Sequence, residues 1–176
     1  ISQNITGTGN LTKSNNSTLT LSGAGTTYSG LTTINAGTLA ISNNMTIGAI
    51  TGAGNMTLGS GFTLTTNSTT NSTFSGVISS SGALMKNGTS TLTLSGNNTY
   101  SGATIVTAGM LAGTTSSLQG AITNNSVVNF DQMTSGTYAG AMSGNGSLLK
   151  TGSGTVTISG TNSYTGATTI NAGVLA

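Results

Sequence analysis

The sequence has no cysteine, proline, histidine, arginine, glutamate or tryptophan. Among its 176 residues it carries one acid, Asp131, and three bases, Lys13, Lys86 and Lys150. Charged residues make up 2% of the chain, against roughly 25% in an ordinary globular domain. General acid–base catalysis needs a titratable side chain near its target and often a second group to orient it. One Asp and three scattered Lys cannot supply such a pair. A carboxylate-pair glycosidase, a Ser-His-Asp triad and a zinc site all lack their parts. The expectation is therefore no enzyme, no catalytic, cofactor-binding or metal residues, and no cofactor.

Other absences narrow the partners. Nucleic-acid binding depends on clustered Lys and Arg, and with a net charge of only +2 and no cluster, no nucleic-acid partner is expected. No charged stretch followed by an apolar one marks a secretion signal. No apolar run approaches the ~18–20 residues of a membrane helix. A piece of a mature chain, cut from something larger, is expected.

What is present is Thr, Ser, Asn and Gly, a composition that often means disorder. Disordered chains are usually charged and poor in β-branched residues, whereas here Thr, Ile, Leu and Val recur in alternation. The chain also repeats itself, which is the first thing to test for. Ile5–Ala40, Ile78–Ala112 and Met142–Ala176 align almost without gaps. Equivalent Lys residues fall at 13, 86 and 150, spacings of 73 and 64; equivalent Tyr residues fall at 28, 100 and 164, spacings of 72 and 64.

Within each copy, Thr18-Leu19-Thr20-Leu21, Thr91-Leu92-Thr93-Leu94 and Thr155-Val156-Thr157-Ile158 alternate polar with apolar, as half-buried strands do. Gly every few residues marks turns, and no helical apolar stripe occurs. Short strands in a long-period repeat fit an all-β parallel β-helix of about eight coils. It is read as one solenoid over residues 1–176, with copies at 1–40, 74–112 and 138–176 joined by looser coils 41–73 and 113–137. Each repeat unit is expected to make about three coils of ~21–24 residues.

Stacking explains the composition. Each residue lies ~4.8 Å above its counterpart one coil below. Like charges at that distance repel by roughly 0.9 kcal/mol even in water, while Asn and Thr ladders can hydrogen-bond. Pro would remove a ladder donor wherever it entered. The equivalent Lys residues, three coils apart, are expected ~14 Å from each other, beyond the screening length.

The run Leu-x-Lys-x-Gly/Asn, Thr-Leu-Thr-Leu-Ser-Gly, Tyr-Ser-Gly-x-Thr-Thr-Ile and Ala-Gly-x-Leu resembles the autotransporter-associated β-strand repeat. Residues 84–112 and 148–176 match closely, and 11–40 match with Lys13-Ser14-Asn15-Asn16 in place of Lys-x-Gly. The resemblance implies a right-handed β-helix in the passenger of a type V secreted bacterial protein. It also implies an extracellular, cell-surface location and outer-membrane anchoring only through a β-barrel absent from this chain. Such repeats build stalks in adhesins and self-associating proteins.

Six residues are candidate surface or ligand contacts: Lys13, Lys86, Lys150, Tyr28, Tyr100 and Tyr164. The lysines could form a cationic row toward an anionic glycan, against the plainer reading of surface charge that aids solubility and blunts edges. The tyrosines could stack on sugars, against the plainer reading of packing at corners. Asp131 reads as a solvated loop residue, since a Ca²⁺ site wants several oxygen ligands. Ice binding would need Thr-x-Thr pairs on successive coils, which the best pairs do not show. The sequons at Asn4, Asn44, Asn71 and Asn97 are weak signals in so Asn- and Thr-rich a chain.

The expected function is a rigid stalk or a self-associating extracellular fibre or adhesin. The expected partners are identical copies, paired laterally or end to end. The alternative is a module binding carbohydrate or host-surface glycans through exposed Tyr, Asn and Thr faces. The chain starts and ends at corresponding repeat positions, as a segment of a longer solenoid would.

Overall fold

The computed structural model describes residues 1–176 and contains strands, turns and no helix. The chain winds as a solenoid with three faces, and every strand pairs in parallel with the strand one coil away. Eight strands form the first face, from Thr6–Gly7 to Met142–Ser143, and nine form the second, from Leu11–Lys13 to Thr168–Ile170. The third face holds four strands, Thr18–Leu21, Thr38–Ile41, Asn55–Leu58 and Ile78–Ser79. After a stretch without regular pairing, three more follow: Gly136–Tyr138, Thr155–Ile158 and Val174–Leu175.

Alternation along each strand sets what goes inside. Thr91–Leu94 buries Leu92 and Leu94 and leaves Thr91 and Thr93 outward. Repeated on every coil, the inward residues fuse into one apolar column of 27 buried side chains running from Leu21 to Val156. Outward residues stack in register. Thr12, Thr33 and Thr51 lie in line on the second face, as Thr6, Thr27 and Thr46 do on the first. These are single Thr columns rather than paired ones.

Coils are shorter than the repeat period suggested. Partner residues on neighbouring coils lie 17 to 22 positions apart, not ~21–24. The repeat unit is not a whole number of coils. From Leu11–Lys13 on the second face to Ala83–Lys86 on the first, the chain turns through eleven successive faces, which is three and two-thirds coils. From there to Ser147–Thr151, back on the second face, it turns through ten. One short strand of two to five residues with its corner, one per face, is the interchangeable unit. The same motif therefore works on whichever face it lands. The joining stretches also form coils, with Met45–Ile47 paired to Thr63–Thr66 and Met110–Gly113 paired to Val127–Asp131.

Two polar devices hold the corners. Asn amide oxygens accept corner N–H groups from the adjacent coil: Asn10 from Leu31 (2.8 Å), Asn44 from Thr63 (2.8 Å), Asn98 from Ile78 (2.7 Å) and Asn162 from Met142 (3.0 Å). These N–H groups leave the ladder where the chain bends, so the side chain replaces a lost backbone partner. The other device is a column of glycines, Gly82, Gly102, Gly120, Gly140 and Gly160. At each of the upper four, a Cβ would lie 2.1–2.4 Å from the carbonyl oxygen of the glycine below.

Candidate functional site: the interior clamp and the outer faces

The three lysines are not on the surface. Lys13, Lys86 and Lys150 are 5%, 1% and 0% exposed. Each follows a buried or half-buried Leu by two residues, on the inward side of its strand. Nor do they form a row: Lys86 sits on the first face and the other two on the second. This corrects both surface readings, the cationic row and the solubilising charge. Strand alternation puts residues two apart on the same side, so Leu-x-Lys carries the lysine inward with its leucine.

Buried ammonium groups need donors satisfied, and the fold satisfies them with backbone carbonyls. Lys150 Nζ donates to Thr151 O (2.5 Å), Gly152 O (2.7 Å), Ala172 O (3.2 Å) and Gln132 O (3.5 Å). Those carbonyls belong to its own turn, the coil above and the coil below. Lys86 Nζ donates to Gly88 O and to Ala108 O (3.2 Å). Lys13 Nζ donates to Asn15 O, Asn15 Oδ1 (2.6 Å) and Ala36 O (3.1 Å). Burial pushes the Lys86 ammonium below the usual lysine range.

The second half of the motif is the receiver. Ala36, Ala108 and Ala172 each precede a glycine in the left-handed region, Gly37, Gly109 and Gly173 with φ of 68°, 66° and 72°. That turn aims the alanine carbonyl at the lysine one coil below. Between the two halves lies a hydroxyl clip: Tyr28 Oη shares a 2.7 Å hydrogen bond with Thr32 Oγ1, Tyr100 a 2.8 Å bond with Thr104 and Tyr164 a 2.8 Å bond with Thr168. Tyr28 and Tyr100 are buried at the corners, and Tyr164, on the outermost coil, packs half-buried against the core. The tyrosines are thus corner struts, and the sugar-platform reading loses its side chains. Lys and Ala-Gly form a clamp that fastens one coil to the next, and the Tyr–Thr clip braces the corner between them.

Tyr100→Phe removes one side of the clip and leaves Thr104 with only the Gln119 carbonyl at 3.3 Å. The expected cost is about 1 kcal/mol, read as a lower denaturant midpoint with unchanged slope.

The buried tyrosines also set the response to pH. Burial raises the phenols of Tyr28, Tyr100 and Tyr138 above the usual tyrosine range. Their contribution is complete below the unfolded tyrosine value of about 10 and is lost as pH rises beyond it. Lys86, lowered by burial, works in the opposite direction over the alkaline range below the unfolded lysine value, as one group against three. With no His or Glu in the chain, unfolding midpoints are expected to stay flat from about pH 6 to 9 and to fall above about pH 10. A midpoint that holds or rises above about pH 10 would contradict this.

With every lysine inside, Asp131 is the only charged side chain on the exterior. It accepts a 3.0 Å hydrogen bond from Thr151 on the next coil. No cluster of His, Cys, Asp or Glu is present that could hold a metal. The largest recess, of about 540 Å³, lies on the second face and is lined mostly by hydroxyl side chains. Sequence reading did not find it, because it arises from unequal corner lengths on successive coils.

Comparison with known proteins agrees with this assignment of the repeat. Over a 224-residue alignment the chain is 41% identical to the adhesin BmaC autotransporter of Brucella suis biovar 1 (strain 1330), covering 89% of this chain. The aligned stretch is 6% of that relative, so the chain spans a small fraction of its length. No solved structure matches. The family model described as passenger-associated-transport-repeat matches residues 11–41, 84–112 and 148–176, each span running from just before a clamp lysine to just past an Ala-Gly turn. These three matches together take in half of the residues, and the chain belongs to the passenger-associated-transport-repeat family.

Proposed function

We propose that this segment is a rigid, non-catalytic spacer in the passenger of a surface adhesin, and that its neutral flanks pair with those of identical copies. A passenger segment of this family is surface-exposed or extracellular. The adhesive role comes from similarity to the Brucella relative, named an adhesin. The rod comes from the fold: two continuous parallel faces and a third interrupted one, over about eight coils at ~4.8 Å per coil, or roughly 40 Å of stiff length.

The observation that supports pairing is the location of the charge. All three lysines are spent on interior carbonyls, so two rods approaching side by side meet no like-charge barrier. Protein surfaces near zero charge associate, and the outward columns of Thr, Ala, Met and Ile are flat and small. Met85 and Ile105 stack as neighbours on the first face and give that face an apolar centre.

Sedimentation of the 176-residue chain tests the proposal. Lateral pairing predicts a mass that rises with protein concentration and changes little between about 0.02 M and 1 M salt, since no surface ion pairs are there to screen. A monomer at every concentration up to about 1 mM would contradict pairing. A steep salt dependence would show that charge drives it instead.

A further inference from the structure

We propose that the recess on the second face is a binding site for a neutral oligosaccharide. It is built by a mismatch in corner length. In the third coil the corner between Met45–Ile47 and Ile50–Gly52 is two residues long, Gly48 and Ala49. In the next coil the corner between Thr63–Thr66 and Ser72–Phe74 is five residues long, residues 67–71. The long corner stands up as a ridge beside the short one, and the space between is the recess of about 540 Å³. That volume lies within the ~300–1,000 Å³ range of small-molecule sites.

The ridge is fixed before any ligand arrives. Ser68 Oγ accepts the Thr70 N–H and donates to Thr70 O, both at 3.0 Å. Asn71 Oδ1 accepts the Thr91 N–H of the fifth coil at 2.8 Å, which leaves the Asn71 amide N–H groups to donate outward. Across the recess runs the Thr column of the second face, with Thr51, Thr73 and Thr93 on consecutive coils. Their hydroxyls sit ~4.8 Å apart, and none is used in a hydrogen bond within the chain. Each can donate and accept.

The floor supplies the apolar half. Leu31 is 37% exposed and is one of only two large hydrophobics so exposed away from the terminal coils, the other being Met133. Leu31 and Ala49 lie side by side in the recess. A small apolar floor beneath rows of unpaired hydroxyl and amide groups matches a pyranose ring, with C–H groups on one face and hydroxyls around its rim. No ionisable side chain lines the recess, so nothing there compensates a carboxylate, sulfate or phosphate. That selects neutral sugars over acidic ones.

Most of the lining residues belong to the joining coils 41–73 rather than to the repeat copies, which contribute Ser29, Leu31, Thr91 and Thr93. The site is thus a property of this segment and not of the repeat. It sharpens the carbohydrate reading and does not rest on lateral pairing.

Methyl-detected NMR of the 176-residue chain, at a concentration where sedimentation shows monomer, tests the site. The probes are cellotetraose, maltotetraose and mannotetraose, with tetragalacturonate as the acidic comparison. At least one neutral tetrasaccharide is expected to shift the Leu31 and Ala49 methyl signals, with a Kd near 1 mM or tighter. Thr51→Val with Thr73→Val keeps shape and β-branching, and should weaken binding at least about tenfold with unchanged Tm. Thr20→Val on the third face should change neither. No shift at Leu31 or Ala49 with any neutral sugar at about 10 mM would overturn the proposal. So would unchanged affinity in the double variant, or tighter binding of tetragalacturonate. None of these outcomes bears on the rod or its pairing.

Discussion

Gly102→Ala is expected to destabilise the solenoid by about 3 kcal/mol, the upper end for an overpacked contact. A Cβ at Gly102 would lie 2.1 Å from Gly82 O, 2.5 Å from Gly82 C and 2.7 Å from Ser81 O. All three are backbone atoms of the coil below, so no side-chain rotation relieves the contact. The coils would have to part at that corner, and parting them breaks the ladder on both adjoining faces. In a solenoid each coil is stabilised mainly by its neighbours, so a local break spreads its cost. Gly9→Ala is the matched control, because a Cβ there meets nothing within 4 Å. It is expected to stay within about 0.5 kcal/mol of the parent. Denaturant unfolding followed by far-UV circular dichroism measures both.

Lys150→Met is expected to cost about 3 kcal/mol, although it removes a buried charge and keeps an apolar stem. The loss lies with the carbonyls: Thr151, Gly152, Ala172 and Gln132 all give up the same donor. Hydrogen bonds to a charged group are worth about 1.5–3 kcal/mol each before the ammonium's own desolvation is subtracted. Lys150→Arg should not rescue stability, because a planar guanidinium cannot replace a compact ammonium among converging carbonyls. Lys13→Met is expected to cost less, since its partner Asn15 is exposed on the outermost coil. A surface lysine replaced by Met would change stability by no more than about 0.5 kcal/mol. A Lys150→Met variant that small in effect would refute the clamp.

Much of the fold was legible in the sequence, and for a physical reason. Thr-Leu-Thr-Leu can bury one side only as a strand, and strands separated by Gly corners over a long repeat leave few architectures besides a parallel solenoid. The size of the coil was less legible. The repeat spacings of 73 and 64 residues suggested whole coils, yet the motif advances by eleven and then ten faces. A repeat need not close on itself when each face accepts the same short strand, and nothing in the motif fixes which face receives it.

The candidate residues show the other limit. Lys in a polar chain usually prefers the surface, yet Leu11/Lys13, Leu84/Lys86 and Leu148/Lys150 share parity along their strands. Parity was the better guide, because the Ala-Gly turn one coil above supplies carbonyls that make burial tolerable. That turn lies 22 or 23 residues from its lysine, and only the coil length reveals that the two are stacked. Tyr at the corner was better placed by sequence, since Tyr-Ser/Thr-Gly-x-Thr brings hydroxyls four apart across one bend. The recess on the second face left no motif at all. It depends on the difference between two corner lengths, a relation between coils that no single stretch records.

The central claim is that the repeated lysines of this chain face inward and leave Asp131 as the only charged side chain on the exterior. Amine acylation of the native 176-residue chain, read by mass spectrometry, tests it most directly. The account predicts that only the α-amine reacts at a free rate in the folded state, while Lys13, Lys86 and Lys150 react only after unfolding. Modification of Lys86 or Lys150 in the folded chain at the rate of a free lysine would contradict it.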